Sequence, residues 1–223
     1  MTADKLAQGY RHIFLDFDGP VCMVFGDLSS VEVSHQLWRR LGFLNDVPAT
    51  GHSDPVALLR LVAQDDRVDL VAAEQHLRHL ESKAVASAPI TPGVVDALDA
   101  FAQSGQTVTI VSNNSSQAIH DFLTIHALGP YITAVCSREQ PDPDLLKPSP
   151  FLLLRAMDRL DAAASECVMI GDSTTDLQAA QAAGTGAIAY ANEPGKAARF
   201  LPFSPDAIVS HMSRFAGTLA RRD

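Results

Sequence analysis

Two aspartates stand two residues apart where the first apolar run of the sequence ends. The run IFL at residues 13–15 leads into Asp16, Phe17, Asp18 and Gly19. Side chains at positions i and i+2 of an extended segment point to the same side, so both carboxylates should face one spot, where their charges repel. This arrangement is costly unless a cation lies beside the carboxylates, and it therefore indicates a site of chemistry rather than of packing.

Further polar residues share one property, because each follows an apolar run that is typical of a strand or its continuation. They are Ser112, Asn113 and Asn114 after TVTIV, and Asp172 after CVMIG, with Asp176 four residues later. In an open parallel sheet, ligands bind outside the carboxyl ends of the strands. These side chains should therefore converge with the two aspartates in a single crevice.

The residue types in this crevice favour a hard cation beside a phosphoryl group. Asp16, Asp18, Asp172 and Asp176 offer only oxygen ligands, which suit Mg²⁺. Lys147 is one of four lysines in the chain and would add a positive charge. A cation, a lysine, a serine hydroxyl and backbone N–H groups together are suited to binding a phosphoryl group.

The elements that carry these residues alternate between strand and helix from Thr91 onward. Strands are predicted at QTVTIVSNN, YITAVCS, CVMIGDS, GAIAYA and DAIVS, and helices at TPGVVDALDAFAQSG, SSQAIHDFLTIHALG, SPFLLLRAMDRL, TDLQAAQAAG and MSRFAGTLARR. This alternation predicts an α/β core whose parallel sheet is covered on both faces. Residues 28–86 show helical spacing instead, so a helical insertion separates the first strand, HIFLDF, from the others. Ser29 or Ser30 is expected to cap its first helix.

Composition and charge limit the classes of function. The 223 residues suit one large domain or a core with a small insert, and the net charge of −9 argues against nucleic acid as a partner. No apolar stretch approaches the roughly 18 residues that a membrane helix needs, and MTADKLAQGYRH lacks the apolar region of a secretory signal. Three widely spaced cysteines fit neither a disulfide framework nor a zinc site. We therefore expect a cytoplasmic protein with no membrane partner, and the excess of arginine over lysine hints at a GC-rich bacterial genome.

The same motifs resemble those of the haloacid dehalogenase superfamily of hydrolases, in the branch with a helical cap. Residues 12–19 match its first motif, DxDG, and TIVSNNS resembles the second, in which a serine or threonine ends a strand. KPSPFLLL resembles the third, and CVMIGDSTTDLQAAQAAG closely matches the fourth, GDSxxD. The resemblance covers nearly the whole chain. It implies a Rossmann-like three-layer core, residues 1–26 and 88–223, with a small all-helical cap, residues 27–87, inserted after strand 1.

The resemblance also implies a mechanism for a phosphatase. Asp16 would attack phosphorus and become an aspartyl phosphate, while Asp18 would protonate the leaving alcohol and then activate the hydrolytic water. The Asp16 carboxylate, the Asp18 backbone carbonyl and the Asp172 carboxylate would hold Mg²⁺. Asp176 would support this set or orient Lys147.

The phosphoryl group has its own expected set of contacts in this family pattern. Gly19, Ser112 and Asn113 would bind the phosphoryl oxygens, and Lys147 would neutralise charge on the phosphate and on the nucleophile. Asp18 also separates this chain from relatives, since the dehalogenases lack an acid at this place and the phosphonate-cleaving members usually carry a small residue there. The chain therefore resembles the members that act on phosphate esters.

The cap of this family closes over the core, excludes water and contacts the leaving group. Substrate contacts are expected from His52 and Ser53, in a loop of the helical insertion. Met23 and Phe25, in the segment that leads into the insertion, are expected to add further contacts. The resemblance does not identify the substrate beyond a small phosphorylated metabolite.

Three alternatives stay open beside a Mg²⁺-dependent phosphatase. A phosphomutase of the beta-phosphoglucomutase type needs the same motifs. A phospho-accepting signalling module or a non-catalytic protein that binds a phosphometabolite belongs to a different class. The helical insertion argues against the signalling module, and the joint presence of nucleophile, acid, lysine and metal ligands argues against mere binding. The chain is expected to be a monomer by default, with a homodimer as the alternative.

Overall fold

Six parallel strands form one sheet at the centre of the molecule. In this computed structural model, which describes residues 7–43, 48 and 51–216, the strand order is β3-β2-β1-β4-β5-β6. The strands are β1 (His12–Leu15), β2 (Thr107–Ser115), β3 (Ile132–Arg138), β4 (Cys167–Gly171), β5 (Gly186–Tyr190) and β6 (Ala207–Val209). Every neighbouring pair is parallel. The predicted parallel sheet is therefore confirmed.

The register of the three central strands brings the predicted site residues to one edge of the sheet. Leu15 of β1 pairs with Ile110 of β2 and with Ile170 of β4. These three residues therefore lie at one level of the sheet, where the pairing of β1 with both neighbours ends. Asp16 directly follows Leu15, and Ser112 and Asp172 come two residues after Ile110 and Ile170.

Along the sequence, three helices separate β1 from β2 and the later strands. They are α1 (Ser30–Arg40), α2 (Pro55–Val62) and α3 (Leu70–Val85), and residues 27–87 are called the helical insert below. Ser29 caps α1, as one of the two predicted serines, by accepting a hydrogen bond from the backbone N–H of Glu32. The apolar faces of the three helices enclose a small core of their own, in which the ring of Trp38 stacks on Phe43.

The remaining helices cover both faces of the sheet. They are α4 (Val94–Gln103), α5 (Ser116–Ile125), α6 (Phe151–Leu160), α7 (Thr174–Ala183) and α8 (Lys196–Phe200). Side chains of β1 alternate between the faces, because Ile13 and Leu15 pack with α4 and α5, whereas Phe14 packs with α6 and α7. The core thus has three layers, helix, sheet and helix, as predicted.

Two features at the C-terminal end differ from the predicted elements. The short helix α8 was not predicted, since NEPG directly before it is typical of a turn. The predicted last helix, MSRFAGTLARR, begins with a 3₁₀ turn at Met212–Arg214, and its residues 217–222 lie outside the described part of the chain. Among the described residues, no helix combines the length and the apolar character needed to cross a membrane.

Candidate active site

A cavity of about 390 Å³ opens at the edge of the sheet where β1, β2 and β4 end. The predicted core residues that line it are Asp16, Asp18, Gly19, Ser112, Asn113, Lys147, Asp172 and Asp176. The helical insert supplies the opposite wall with Ser30, Ser53, Asp54, Pro55, Val56 and Arg60. A volume of this size is typical of a site for a small molecule.

Lys147 joins two of the aspartates. Its Nζ lies 2.8 Å from Asp16 Oδ1 and 2.5 Å from Asp176 Oδ1, and it donates a hydrogen bond to the backbone carbonyl of Val111 at 2.8 Å. The lysine is almost completely buried. Burial by itself would lower the pKa of Lys147, but the two carboxylates outweigh it and raise the pKa. The ammonium is therefore a fixed positive charge of the cavity.

The two oxygens of the Asp16 carboxylate have different surroundings. Oδ1 accepts a hydrogen bond from the backbone N–H of Phe17 at 2.8 Å and contacts Lys147, whereas Oδ2 has no hydrogen-bond partner among the described residues. Burial and the nearby charge of Asp176 raise the pKa of Asp16 to about 7, against the opposing effect of Lys147. One oxygen is held in place while the other is left to meet an electrophile or a cation.

Asp18 lies in the same cavity in a different environment. Its Oδ1 accepts a hydrogen bond from the backbone N–H of Val24 at 2.9 Å. Burial raises the pKa of Asp18 to about 7, although the Val24 hydrogen bond opposes the shift. A carboxyl group with this pKa carries a proton in a large share of the molecules near neutral pH, as a general acid must.

Three carboxylates form a candidate site for a divalent cation. Oxygens of Asp16, Asp172 and Asp176 lie within 4.8 Å of one another, and the Asp18 carboxylate is not part of this group. Two lysines pair with these residues: Lys147 with Asp16 and Asp176, and Lys196 with Asp172. When all four aspartates of the cavity are ionised, the charges of the two lysines leave a net charge of −2, which one divalent cation would balance. The donors are all oxygens, the ligand type that hard cations prefer. The residues of the cavity therefore fit a divalent metal ion.

Gly19 permits the close approach of the Asp18 loop to Asp172. Its φ of +94° is unfavourable for other residues, and a Cβ placed on it would lie 2.5 Å from Asp172 Oδ2. Its carbonyl accepts a hydrogen bond from the Thr91 hydroxyl at 2.6 Å, which fixes the turn. The glycine thus shapes the carboxylate group by leaving space for it.

We expect Gly19→Ala to destabilise the protein and to displace Asp172. The positive φ alone costs about 1–2 kcal/mol, and the clash with the carboxylate adds to this. Gly105→Ala is the matched control, since Gly105 has a φ of +72° but nothing within 4 Å of its Cβ position. Urea unfolding of both variants isolates the clash; an equal loss of stability in the two would contradict the packing of Gly19 against Asp172.

The end of β2 supplies a hydrogen-bonded group of polar side chains. The Ser112 hydroxyl donates to Asn114 Oδ1 at 3.1 Å and lies at the cavity wall. The Asn113 side chain is engaged with the backbone of Lys147, to which it donates through Nδ2 at 3.0 Å and from which its Oδ1 accepts at 2.8 Å. Asn113 therefore positions Lys147 through its side chain.

A buried ion-pair network under this segment was missed in the sequence analysis. Arg138, the last residue of β3, pairs with Glu81 and lies 3.4 Å from Glu74, both on α3, and donates to the backbone carbonyl of Asn113 at 3.2 Å. Glu81 in turn accepts a hydrogen bond from the backbone N–H of Ser115 at 3.0 Å. All three charged side chains are buried. The network ties the helical insert to the strand end that carries Ser112.

Two further cations at the site were also missed. Lys196, at the start of α8, lies 2.5 Å from Asp172 Oδ2 through its Nζ. Arg60, on α2, lines the cavity, and its guanidinium donates to the backbone carbonyl of Lys147. Neither residue belongs to a recognisable motif, so their positions follow only from the tertiary structure.

The four residues predicted to contact a substrate divide into two groups. Met23, Phe25 and Ser53 line the cavity. Met23 is about half exposed, at 53%, while Phe25 also packs against the apolar cores of the sheet and of the insert. His52 is exposed and not among the residues that line the cavity; its ring lies edge-on to His35, with 5.4 Å between centroids. The structure thus brings three of the four together.

A family model for haloacid dehalogenase-like hydrolases matches residues 51–190, which is more than half of the chain. The matched span contains Ser112, Lys147, Asp172 and Asp176. Asp16 and Asp18 precede the matched span, so their place in the site follows from the register of β1 and from the cavity.

The curated relatives include phosphoglycolate phosphatases from several bacteria. That of Photobacterium profundum is 30% identical over 193 residues, which cover 80% of this chain and 82% of the relative. That of Aliivibrio fischeri is 37% identical over 93 residues, which cover 42% of this chain and 40% of the relative. The second match therefore spans less than half of that relative's length.

A solved structure with the same fold is CbbY from Rhodobacter sphaeroides in complex with phosphate. Its TM-score is 0.69 at 14% identity, and the match covers 92% of this chain and 95% of that chain. At such a low sequence identity, this similarity shows only that the two proteins share a fold. The family model and the Photobacterium relative show the family as well: the chain belongs to the haloacid dehalogenase-like hydrolases.

Proposed function

We propose that the protein is a Mg²⁺-dependent phosphatase that hydrolyses a small phosphorylated metabolite through an aspartyl phosphate on Asp16. The observation that carries the proposal is a single cavity holding Asp16 paired with Lys147, a separately bound Asp18 and the carboxylate of Asp172. A nucleophile, an acid and a cation site are the parts that phosphate ester hydrolysis needs. The names of the curated relatives support this reaction class and make 2-phosphoglycolate the first ester to test.

The proposed reaction has two steps. Oδ2 of Asp16 attacks phosphorus as the ester P–O bond breaks, and Asp18 gives its proton to the departing alkoxide. The ionised Asp18 then takes a proton from a water molecule as that water attacks phosphorus, and the P–O bond to Asp16 breaks. Inorganic phosphate leaves, Asp16 is again a carboxylate and Asp18 again carries a proton.

Charge on the phosphoryl group is balanced by groups of the core. The Lys147 ammonium would neutralise charge on the phosphoryl group, and the Ser112 hydroxyl would donate to a phosphoryl oxygen in place of Asn114. Mg²⁺ would be held by Asp16, the Asp18 backbone carbonyl and Asp172, with Asp176 as support, and when bound would supply positive charge to the phosphoryl oxygens.

The helical insert, residues 27–87, would act as the cap of this site. Its wall residues enclose the cavity from the side opposite the sheet, and Arg60 connects it to the backbone of Lys147. Closure of such an element excludes water from the first step and contacts the leaving group. Met23, Phe25 and Ser53 would contact the part of the substrate that leaves.

A panel of phosphate esters tests the proposal. It contains 2-phosphoglycolate, hexose phosphates, nucleoside monophosphates and an aryl phosphate, each with Mg²⁺ or with a chelator. We expect chelator-sensitive phosphate release from at least one ester by the wild type. Interconversion of sugar phosphates that requires a bisphosphate would favour the phosphomutase instead, and no turnover of any ester by the folded protein would contradict the proposal.

Asp18→Asn tests the role of the acid. We expect phosphate release from an alkyl ester to fall by about 10²–10⁴-fold, because its alkoxide leaves poorly without a proton. The aryl phosphate has a better leaving group, so its first step should lose much less. Burst kinetics with the aryl ester measure the rate of the first step separately. If Asp18→Asn lowered the rate of the first step equally for both esters, Asp18 would not be the acid.

Mg²⁺ is expected to raise the melting temperature, and more so at high pH. The pKa values of Asp16 and Asp18 are raised to about 7, so the metal-free fold holds protons there that the unfolded chain has released, and its stability falls as pH rises from about 4 to about 7. Protons and Mg²⁺ compete for these carboxylates. Thermal unfolding should therefore show that Mg²⁺ raises the melting temperature more at pH 8 than at pH 5. Asp172→Asn should reduce this increase. An increase that depends neither on pH nor on Asp172 would show that the cation binds elsewhere.

A further inference from the structure

Lys196 is a second lysine of the site that the proposed reaction does not use. It is 9% exposed and begins α8, in the segment after β5. Its Nζ lies 2.5 Å from Asp172 Oδ2, 2.7 Å from Asn192 Oδ1 and 3.8 Å from Glu193 Oε1. The ammonium therefore neutralises a carboxylate that the proposed function assigns to the cation.

The three carboxylates of the candidate cation site are each paired with an ammonium. Lys147 contacts Asp16 and Asp176, and Lys196 contacts Asp172. An ammonium and a metal ion that bind the same carboxylate repel each other through their positive charges, and most strongly when both lie on the same oxygen. A divalent ion that binds Asp172 must therefore compete with Lys196 for Oδ2 or accept the cost of a neighbouring charge.

The two lysines differ in how firmly they are held. Lys147 has a backbone acceptor, Val111, inside the sheet and is almost completely buried. Besides Asp172, Lys196 contacts two exposed residues that line the cavity: Asn192 accepts a hydrogen bond at 2.7 Å, and the Glu193 carboxylate lies 3.8 Å away. An ammonium that leaves Asp172 would keep both of these contacts, so Lys196 is the lysine that a cation displaces at lower cost.

We propose that the Lys196 ammonium occupies Asp172 until a divalent ion binds, and that it then leaves Asp172 and keeps only its contacts with Asn192 and Glu193 at the cavity rim. The inference rests on the proposed function only in requiring a divalent ion at Asp172. Lys196 is in this view a positioning residue: it holds the Asp172 side chain in the metal-free protein and sets how tightly the ion binds. It also offers a positive charge at the rim once the ion is in place.

Calorimetric titration with Mg²⁺ in the absence of any ester tests the competition. We expect Lys196→Met, which keeps the length but removes the charge, to bind Mg²⁺ about tenfold tighter or more than the wild type. The metal-free variant should unfold at a lower temperature, because Asp172, partly buried beside Asp16 and Asp176, is left without its ion pair. Lys196→Arg keeps the charge and should stay close to the wild type in Mg²⁺ affinity. Unchanged or weaker binding by Lys196→Met would overturn the proposal.

Amine labelling followed by mass spectrometry tests the movement itself in the wild-type protein. The chain has four lysines, so each can be followed separately. Saturating Mg²⁺ should raise the labelling rate of Lys196 by about threefold or more, because an ammonium at the rim is more accessible than one in a buried ion pair. Lys83 is exposed and Lys147 is buried, so their labelling should stay high and low respectively. No change at Lys196 under saturating Mg²⁺ would contradict its displacement.

The outcomes separate this inference from the proposed function. Tighter Mg²⁺ binding by Lys196→Met together with faster labelling would support the inference even if no ester were hydrolysed. Turnover of esters with unchanged Lys196 behaviour would overturn the inference and leave the phosphatase standing. A wild-type protein that binds no divalent ion at all would count against both.

Discussion

Asp16→Asn is expected to abolish phosphate release, with a loss in kcat of at least about a thousandfold. The asparagine side chain keeps the shape of aspartate but cannot form the acyl phosphate. The cavity shows why one residue carries so much of the reaction: Oδ1 is held by Phe17 and Lys147, which leaves Oδ2 to attack. Steady-state phosphate release from the best ester of the panel measures the loss.

The same variant should remain folded. Asp16 is one of several buried carboxylates that repel each other, and burial and Asp176 raise its pKa, so loss of its charge is not expected to lower the melting temperature of the metal-free protein. Asp66→Asn, at an exposed position of the helical insert, is the matched control and should keep full activity. Retention of activity by a folded Asp16→Asn would show that the nucleophile has been assigned to the wrong residue.

Arg138→Met is expected to have the largest effect on stability. The change leaves Glu81, which is 0% exposed, buried without its cation, whereas Glu74 keeps its ion pair with Arg78. Removal of one partner from a buried ion pair costs about 3–5 kcal/mol in the free energy of unfolding. Arg138 also donates to the Asn113 carbonyl, and Asn113 holds Lys147, so kcat should fall as well. Urea unfolding and phosphate release measure the two effects.

Two further variants make the test of Arg138 specific. Arg67→Met removes an exposed ion pair with Asp65 and should change stability little. The double variant Arg138→Met with Glu81→Gln removes the charge that Arg138→Met leaves unpaired and should recover part of the lost stability. If Arg138→Met were as mild as Arg67→Met, the proposed coupling between α3 and the end of β2 would be wrong.

The sequence allowed us to predict which aspartates meet in the cavity, because they lie in short contiguous segments. Asp16 and Asp18 follow one apolar run, and Asp172 and Asp176 follow another, so strand ends identify them without any knowledge of the fold. The parallel sheet could be predicted for the same reason, since buried strands read as apolar runs between amphipathic helices. The bounds of β2 extend to Ser115, further than the apolar run, because the polar residues after Val111 still pair with β3.

The residues that escaped prediction depend on contacts between distant segments. Lys196 follows a turn sequence and gains its role only because the β5–α8 loop lies beside Asp172. Glu74 and Glu81 did leave a signal, since their spacing of seven places both on the apolar face of α3 with Leu77 and Leu80. A charged residue on such a face implies a buried partner, but the sequence does not say that this partner is Arg138, which lies in a different layer of the fold.

Trapping of the phosphoryl group on Asp16 tests the central claim most directly. Wild-type protein with Mg²⁺ would be mixed with the preferred ester, quenched in acid within the first turnover, digested and analysed by mass spectrometry, since acyl phosphates survive acid but are cleaved by hydroxylamine. The account predicts a hydroxylamine-sensitive phosphoryl group on Asp16 that is absent from Asp16→Asn. A phosphoryl group on any other residue, or turnover with no phosphorylated protein at any quench time, would contradict it.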